Sequence, residues 1–381
     1  MELMIMNEIK VALFGVGGYG ANYPYTIAHP QREGVTLVGA VDPYCKNCDM
    51  CPVYDTAEEL FANHQPDLVV VSTPIHLHVE QAVMAFEHGC HVALEKPIAA
   101  TMEGVQKILD ARDKAGKLLS IGFHLCADEG VLEAKKDIDD GVLGKPISLK
   151  SLVLWPRNHA YYSRGGGWAG RRYAKNGEPI FDNVLSNATA HYLMNILFML
   201  GEKLETIECR TFRANAIETF DTAIVKGKTS SGAEAFVAVS HAIDPALTQN
   251  PIFEYQFEKG TLSFNHLGGE RGTNFVARFN DGTVKEYGPV GKGHLENFWN
   301  LIDAIRDGAP IHCTGEIAAR HVAAMEQMRA IQPDAVAFPT HWLREKDDYT
   351  YVPGLAKAMI ECFNTCTLPN WNLSADALGE D

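Results

Sequence analysis

A glycine-rich turn near the start of the chain constrains the fold more than any other feature. It follows an apolar run that begins at Ile9. Its residues are Gly15, Val16, Gly17, Gly18, Tyr19 and Gly20. Glycine lets the chain turn tightly and lets the backbone approach a pyrophosphate, whose charge meets the N–H groups at the start of a helix. The spacing alone is a weak signal, so the neighbouring strands and polar residues decide what it binds.

Short apolar runs alternate with segments of helical periodicity through the first third of the chain. The runs cover residues 9–15, 35–41, 67–72, 91–95 and 117–122. Such alternation is typical of a parallel sheet covered by helices on both faces. The sequence therefore predicts an α/β domain over residues 1–125, built as a doubly wound Rossmann sheet.

The remainder of the chain has a different texture, in which many strand-like runs follow one another. These runs cover residues 147–154, 222–227, 233–241, 252–258, 273–279 and 283–287. Helical segments are expected near 184–200 and from residue 294. We predict an α+β domain over 126–381, with a large open, mostly antiparallel sheet and helices on one face. The polar residues after Leu368 are expected to be loosely held.

Charge and composition narrow the class of protein. Acidic residues outnumber basic ones by 48 to 33, and the resulting formal charge of -15 disfavours nucleic acid and anionic membranes as partners. No apolar run approaches the roughly 18 residues that span a bilayer, so a cytoplasmic protein is expected. The nine cysteines indicate reduced thiols. Cys45, Cys48 and Cys51 lack a fourth ligand at useful spacing, so no metal is predicted.

Polar residues at the ends of the predicted strands point to the cofactor. Asp42 lies 22 residues after Gly20, where a carboxylate accepts both hydroxyls of an adenosine ribose and repels a 2'-phosphate. NAD is therefore predicted rather than NADP. Ligands bind beyond the carboxyl ends of strands in open parallel sheets, so two further groups should face the cofactor. They are Ser72, Thr73, Pro74, His76 and His78, and Glu95, Lys96 and Pro97.

In this order and spacing, the glycine turn, Ser-Thr-Pro-x-His-x-His and Glu-Lys-Pro resemble the Gfo/Idh/MocA family of glucose-fructose oxidoreductase, inositol dehydrogenase and rhizopine-catabolism proteins. The likeness continues through 143–146, 187–201 and 294–316, and so covers nearly the whole chain. The resemblance implies that Lys96 lies near the nicotinamide and the substrate hydroxyl. It also implies that His191 is the general base, and a histidine suits that role without adjustment of its pKa.

The chain departs from the family pattern at positions that bear on the substrate. Asn187 stands where the family carries an aspartate four residues before the histidine. An amide can orient a hydroxyl but cannot hold a proton, so Asp182 is a candidate to supply the missing charge. His124 stands where relatives often carry asparagine, and it is predicted to border both cofactor and substrate. Lys96, His191 and Asn187 form the predicted catalytic set.

A segment crowded with aromatic and arginine residues runs from Trp155 to Tyr173. Aromatic faces stack on sugar C–H surfaces, and guanidinium groups bind hydroxyls or carboxylates. We therefore predict a sugar or polyol ligand, with an acidic sugar included. The residues assigned to it here are Tyr161, Arg164, Trp168 and Arg172. The same residue types are enriched at protein interfaces, so a lid or an interface segment is the alternative.

Three functions are compatible with these residues. The leading one is NAD-dependent hydride transfer from a secondary hydroxyl of a sugar, inositol or sugar derivative. The second is glycoside cleavage by transient oxidation and elimination, in which the segment from Tyr161 to Tyr173 supplies an extra acid and base. The third is a non-catalytic NAD-binding sensor or repressor. The family resemblance implies a homodimer or homotetramer as well, in which either the open sheet face or the aromatic segment is covered.

Overall fold

The chain is described from a computed structural model that covers residues 8–28, 33–46, 48–267, 272–291 and 293–379. It divides into two compact units. The first unit runs to His124 and takes in His294–Ala318, and the second comprises Leu125–Gly293 and the residues from Ala319 onward. The first unit thus ends next to the boundary predicted after residue 125, and one later segment belongs to it as well.

The first unit contains a six-stranded parallel sheet in the order β3-β2-β1-β4-β5-β6. Its elements in chain order are β1 (Ile9–Phe14), α1 (Asn22–Ala28), β2 (Val35–Val41), β3 (Val53–Tyr54), α2 (Ala57–Asn63), β4 (Leu68–Val71), α3 (His78–Glu87), β5 (His91–Leu94), α4 (Met102–Ala115) and β6 (Leu119–Ile121). All residues of β4 are buried, as expected for a strand covered on both faces. The strand order reverses between β1 and β4, and ligands bind at such a switch point. The predicted Rossmann sheet is confirmed.

The later elements build the second unit, apart from the helix Glu296–Asp307 and the first turn of the helix that follows it. In chain order they are α5 (Glu129–Asp139), β7 (Pro146–Leu154), α6 (His159–Ser163), α7 (Ala190–Leu200), β8 (Thr206–Arg213), β9 (Thr222–Lys228), β10 (Glu234–Ser240), β11 (Gln249–Phe257), β12 (Gly260–Phe264), β13 (Asn274–Phe279), β14 (Val284–Pro289), α8 (Glu296–Asp307), α9 (Gly315–Ile331), β15 (Val336–Ala337), β16 (Arg344–Lys346), β17 (Tyr349–Tyr351) and α10 (Leu355–Thr365). Nine strands form one sheet in the order β14-β13-β12-β11-β7-β10-β9-β8-β15. Only the β10–β7 and β15–β8 pairs are parallel, so the mostly antiparallel sheet is confirmed.

Helix α8 explains why a late segment belongs to the first unit. Its residues Phe298, Leu301 and Ile302 are buried in one core cluster with residues of β1 and β2. Three and four residues separate these side chains, which places them on one face of the helix. The sequence predicts this apolar stripe correctly, but it does not predict which sheet the stripe covers.

Helices lie on both faces of the nine-stranded sheet, which corrects the prediction of helices on one face. On one face, the side chain of Asn195 in α7 accepts a hydrogen bond of 2.6 Å from the hydroxyl of Tyr255 in β11. On the opposite face, Met359 of α10 shares a buried cluster with Leu152 of β7 and Phe236 of β10. Alternate residues of a strand point to opposite faces, so both sides of these central strands are apolar.

The residues beyond α10 pack against this second face, contrary to the expectation that they are loosely held. The Trp371 ring lies 4.8 Å from the ring of Phe212, and the Trp342 indole N–H donates to the carbonyl of Ala375 at 2.9 Å. Leu373 and Leu378 also contact the core cluster. A few apolar residues are enough to hold a polar segment against the protein when each of them packs on an apolar surface.

Turns replace the first part of the helix predicted near 184–200. The side-chain oxygen of Asn183 accepts from the backbone N–H groups of Leu185 and Ser186, and α7 begins only at Ala190. Asparagine and serine compete in this way with helical hydrogen bonds. Among the described residues, no helix combines the length and the apolar character needed to cross a bilayer.

Candidate functional site

Two glycines of the turn are required by the packing of the first unit itself. Gly15 has a φ of +88°, and a Cβ placed on it lies 2.6 Å from the carbonyl oxygen of Ser72. A Cβ on Gly20 lies 2.1 Å from the carbonyl oxygen of Gly15. Both distances are impossible for a side chain, so β1, β4 and the start of the following helical turn meet backbone to backbone. These glycines shape the turn whether or not a ligand binds.

Gly17 differs, because the protein leaves room beside it. Its backbone is extended, with φ -86° and ψ 165°, a conformation that any residue can adopt. A Cβ on Gly17 makes only ordinary contacts at 3.9 Å, with Asp42 and Cys45. Gly18 has nothing within 4 Å of its Cβ position and begins the single 3-10 turn that precedes α1. The space beside Gly17 therefore suits the close approach of a pyrophosphate.

Asp42 joins the glycine turn to the end of β2. Its Oδ2 accepts from the N–H of Val16 at 3.0 Å, and its Oδ1 accepts from the N–H groups of Tyr44 and Cys45 at 2.9 Å. A carboxylate has about four acceptor positions, so these three bonds leave capacity for a hydroxyl donor. The fixed, half-buried carboxylate lies beside the open side of Gly17, as a ribose partner requires.

His78 connects the ends of β4 and β5. Its Nδ1 lies 2.8 Å from the carbonyl oxygen of Pro97, and its Nε2 lies 2.9 Å from that of Thr73. The ring is 1% exposed, and burial lowers the pKa of His78 to about 4. The predicted cofactor residue His78 is thus a link between Ser72-Thr73-Pro74 and Glu95-Lys96-Pro97. His76, in the short turn before α3, is half-buried.

A buried carboxyl group fixes the backbone of Lys96. The Oε1 of Glu95 accepts from the Tyr23 hydroxyl at 2.8 Å, and its Oε2 accepts from the N–H of Lys96 at 3.3 Å. Burial raises the pKa of Glu95, while the nearby Lys96 charge lowers it. A Cβ on Gly122 lies only 2.9 Å from Glu95 Oε2, so the end of β6 closes over this carboxyl group. Tyr23 is a site residue that the sequence analysis missed.

Two histidines lie close to this group in the first unit. The rings of His124 and His294 are 5.0 Å apart. Burial lowers the pKa of His124 to about 3, and the charges of His294 and Lys96 act in the same direction. The carbonyl of His294 accepts from the Tyr19 hydroxyl at 3.1 Å. The structure therefore gathers Tyr19, Lys96 and His124, and adds His294, which sequence analysis considered only as part of a family motif.

The second unit carries the other predicted catalytic residues. The amide of Asn187 donates from Nδ2 to Asp182 Oδ1 at 2.9 Å, and Asp182 Oδ2 accepts from the N–H of Gly170 at 2.6 Å. Asp182 is buried, so the carboxylate absent from position 187 is held one hydrogen bond away. Asn187 precedes α7 rather than lying on it, and His191 is buried in the first turn of that helix.

The segment after β7 forms an arginine–aromatic stack of Trp155, Arg157, Tyr161, Arg164 and Trp168. The guanidinium of Arg164 lies 3.6 Å from the ring centre of Tyr161 and 4.8 Å from that of Trp168. That of Arg157 lies 5.2 Å from Tyr161 and 5.6 Å from Trp155. Arg157 was not among the predicted site residues.

Arg172, which the sequence analysis assigned to the substrate, is engaged elsewhere in the second unit. Its guanidinium pairs with Asp334 at 2.5 Å and donates to the carbonyl of Glu218 at 3.2 Å. This pairing satisfies its charge at the protein surface. The predicted residues Tyr161, Arg164 and Trp168 come together, whereas Arg172 faces a different set of partners.

His241 is a further buried residue beside the stack. It follows β10 directly, its Nδ1 lies 2.6 Å from the carbonyl oxygen of Trp155, and its ring centre lies 5.8 Å from that of Tyr161. The bond to a carbonyl places the proton on Nδ1 and leaves a lone pair on Nε2. Burial lowers the pKa of His241 to about 3, and Arg157 adds to the effect. The signal in the sequence was a histidine at the end of a predicted strand.

No group of three histidine, cysteine or acidic side chains suited to a metal ion occurs in the part of the chain that the structure describes. Cys48 and Cys51 are neighbours, with their sulfur atoms 3.6 Å apart. Burial raises the pKa of the Cys51 thiol to about 12, which keeps it protonated.

Comparison with known sequences supports the cofactor. Residues 9–123 match the Gfo/Idh/MocA oxidoreductase family with an NAD-binding Rossmann fold. The matched range holds the glycine turn, Asp42 and Lys96. It confirms the predicted NAD-binding domain, with NAD as its cofactor.

Among characterised relatives, an inositol 2-dehydrogenase from Klebsiella pneumoniae is 27% identical over 253 residues, which are 62% of this chain and 70% of that protein. A 2,7-anhydro-N-acetylneuraminate hydratase from Mediterraneibacter gnavus is 31% identical over 147 residues. That match spans 37% of this chain and 38% of the hydratase.

Solved structures extend the likeness to both units. The WlbA dehydrogenase from Bordetella pertussis, in complex with NADH and UDP-GlcNAcA, aligns with a TM-score of 0.70 and 23% identity, over 85% of this chain and 97% of that chain. The aldose-aldose oxidoreductase from Caulobacter crescentus aligns at 0.69 with 18% identity, over 85% and 97%. These likenesses establish a shared fold.

Proposed function

This chain belongs to the Gfo/Idh/MocA oxidoreductase family through its NAD-binding unit, and on that premise we propose that it is an NAD-dependent dehydrogenase. Its substrate is a secondary hydroxyl of a sugar, inositol or sugar derivative. The observation that carries the proposal is the open side of Gly17 next to the fixed carboxylate of Asp42, at the switch point of the sheet. The fold itself does not require a glycine at position 17, so the absence of a side chain there leaves space for a ligand.

The proposed cofactor site uses the backbone at Gly17 and Gly18 for the pyrophosphate and Asp42 for the ribose hydroxyls. When bound, NAD supplies the hydride acceptor. The carboxylate of Asp42 repels a 2'-phosphate, so the site prefers NAD to NADP. His78 links the segment that follows β4 to the segment that follows β5, through the carbonyl oxygens of Thr73 and Pro97. Together with the bond from the N–H of Lys96 to Glu95, this link holds Lys96 in place.

Removal of a hydride from carbon requires that the hydroxyl lose its proton to a base. We assign that base to His191, whose unperturbed pKa lies near neutral pH. Lys96, whose backbone is fixed by Glu95, polarises the oxygen as a cation. Asn187 donates to Asp182, so its amide orientation is fixed and its Oδ1 is presented as the acceptor for a substrate hydroxyl.

A panel of sugars, inositols and sugar acids with NAD tests this function, with NADH absorbance as the readout. We expect turnover with at least one class, and a loss of about 100-fold or more in Lys96→Met and His191→Asn while NAD still binds. Lys114→Met, an exposed lysine of α4, is the matched control and keeps full activity. Wild-type turnover in both Lys96→Met and His191→Asn would refute the assignment of these residues. NAD binding without turnover of any sugar, inositol or sugar acid favours a sensor.

A further inference from the structure

Two arginines of the second unit have guanidinium groups that no described carboxylate contacts as an ion pair. Arg157 and Arg164 form no ion pair with any residue that the structure describes, although both are half-buried. Arg112 and Arg172 differ from them, since each contacts an acidic side chain within 2.7 Å. A partly buried guanidinium without an acid is costly unless an anion joins it. This pair is therefore built for a negatively charged ligand.

Stacking holds the two guanidinium groups without using their charge. Both contact the ring of Tyr161, and each has a second ring, Trp155 for Arg157 and Trp168 for Arg164. A stacked guanidinium keeps its N–H donors in the plane of the group, where they can meet two oxygens at once. The Nη1 of Arg164 also donates a hydrogen bond to the backbone carbonyl of Tyr161, which fixes the arginine side chain further.

Unpartnered polar atoms mark the same place. Within the described ranges, Nε of Arg157, the hydroxyl of Tyr162 and Nε2 of His241 are buried and have no hydrogen-bond partner. His241 is 2% exposed and neutral, because burial and the two arginines depress its pKa. Buried polar atoms are normally paired, so three of them beside one stack indicate a missing polar ligand. Nε2 of His241 can only accept, which suits a sugar hydroxyl.

From these observations we propose that Arg157 and Arg164 bind the carboxylate of an acidic sugar, and that His241 accepts a hydroxyl of the same molecule. The assignment rests on the proposed function, because it names the substrate class of that site. It adds Arg157 and His241 to the residues predicted from the sequence, and it leaves out Arg172.

The charges around the stack favour a carboxylate over a phosphate. Asp182 and Asp221 are both buried nearby. Burial raises the pKa of the Tyr162 hydroxyl, and both carboxyl groups add to that effect. Their own oxygens are engaged, as Asp221 accepts from Ala214 and from the backbone and side chain of Asn215. They do not neutralise the arginines by contact, but they repel further negative charge. A single negative charge therefore fits better than the two of a phosphate monoester.

The experiment compares matched sugar pairs on the full-length protein. D-glucuronate is set against D-glucose and D-galacturonate against D-galactose, and D-glucose 6-phosphate provides the phosphate arm. Binding is measured by calorimetry in the presence of NAD, and turnover by NADH absorbance. We expect at least one uronate to bind about 10-fold or more tightly than its neutral partner. Equal binding of every pair, or tighter binding of the phosphate than of either uronate, overturns the proposal.

Substitutions then locate the site. Arg157→Gln and Arg164→Gln are each expected to weaken uronate binding by about 10- to 100-fold and to change neutral-sugar binding less than about threefold. Arg210→Gln removes an exposed arginine of β8 and leaves both unchanged. Arg157→Lys and Arg164→Lys keep the charge and serve if the glutamine variants fail to fold. Uronate affinity unchanged in folded variants refutes the assignment.

Different results contradict the proposed dehydrogenase activity and the proposed carboxylate site. Turnover of neutral sugars with no preference for uronates leaves the dehydrogenase intact and removes the carboxylate site. Uronate binding that depends on Arg157 and Arg164, without any NADH formation, keeps the carboxylate site and removes the dehydrogenase. His241→Asn keeps a donor toward the carbonyl of Trp155 and lacks Nε2, so it should weaken neutral and acidic sugars alike.

Discussion

At the scale of single residues, the glycine turn separates structural from ligand-facing glycines. Gly15 and Gly20 are fixed by backbone contacts that no side chain tolerates, whereas Gly17 has ordinary space and ordinary backbone angles. The same motif thus contains glycines that the fold requires and a glycine that the ligand requires. The sequence pattern cannot distinguish them, because the distinction depends on what lies within 4 Å of each Cβ position.

Replacement of Gly17 by alanine tests this distinction. We expect Gly17→Ala to melt within a few degrees of the wild type, since the methyl group meets no crowding and alanine reduces the entropy of the unfolded chain. NAD binding, measured by calorimetry, should weaken about 10-fold or more because the pyrophosphate loses its approach. Gly15→Ala is the contrasting variant and should lose stability. Normal NAD affinity in Gly17→Ala would place the pyrophosphate elsewhere.

The buried histidines predict how stability depends on pH. His78 has a folded pKa of about 4 and His241 one of about 3, both below the 6.5 of an exposed histidine. The unfolded chain therefore binds more protons as the pH falls below 6.5, and stability falls with it, by about 1.4 kcal/mol per pH unit for each group. We expect the melting temperature to decline from pH 6.5 towards pH 4.

His241→Asn should flatten part of that decline, because asparagine keeps a donor toward the carbonyl of Trp155 and does not titrate. Melting curves of wild type and variant between pH 7 and pH 4.5 provide the measurement. The His64→Asn substitution is unsuitable as a control, since His64 is half-buried and lies 2.9 Å from the hydroxyl of Tyr54. His266→Asn, in the loop after β12, is preferable. Parallel curves for wild type and His241→Asn contradict the assignment.

At the scale of elements, the sequence predicted what periodicity and strand ends can show. The apolar runs predicted five of the six strands of the first sheet but not the two-residue β3, and the stripe of Phe298 and Ile302 predicted α8. The alternating pattern of Thr206–Arg213 was overlooked, and this strand is β8. The start of α7 was misplaced because the apolar pattern ran on through turns that Asn183 stabilises. Local hydrogen bonding of that kind has no period to detect.

The candidate site shows a similar limit. Asp42 and Lys96 could be found because they follow strands at motif spacing, and Arg164 because it lies in an unusual segment. Tyr23, Arg157 and His241 could not be ranked, since their significance comes from contacts with Glu95, Tyr161 and Trp155. The sequence suggested only that Asp182 could supply the charge missing at position 187. The hydrogen bond between Asn187 and Asp182 is seen only in the structure.

At the scale of the whole molecule, the C-terminal segment changes the argument for oligomers. The prediction of a homodimer or homotetramer rested partly on an open sheet face that needs cover. Residues of α10 and the following tail already bury the apolar side chains Leu154, Ile224 and Phe236 on that face. The rest of the same face includes a cavity lined by polar residues such as Ser148, Glu254 and Gln256. Any assembly must therefore use another surface or this polar one.

Loss of the α10 contact should reveal the apolar face. Phe363 is fully buried, so Phe363→Asp places a charge in the cluster, loosens α10 and is expected to increase binding of a hydrophobic dye and self-association. Light scattering after size-exclusion chromatography measures the mass. Asn364→Asp, at an exposed position of the same helix, should match the wild type. A Phe363→Asp protein with wild-type mass and dye binding means that other contacts hold the cover.

The cover over the second sheet also dictates an order of events during synthesis. Strands β7 to β14 are complete by Pro289, but the side chains that shield their apolar face arrive with α10 and the tail, more than sixty residues later. At translation speeds of about 5 to 20 residues per second, a nearly finished sheet waits several seconds with Phe236 and its neighbours exposed. The ribosome-bound intermediate is therefore the form of this protein most in need of a chaperone.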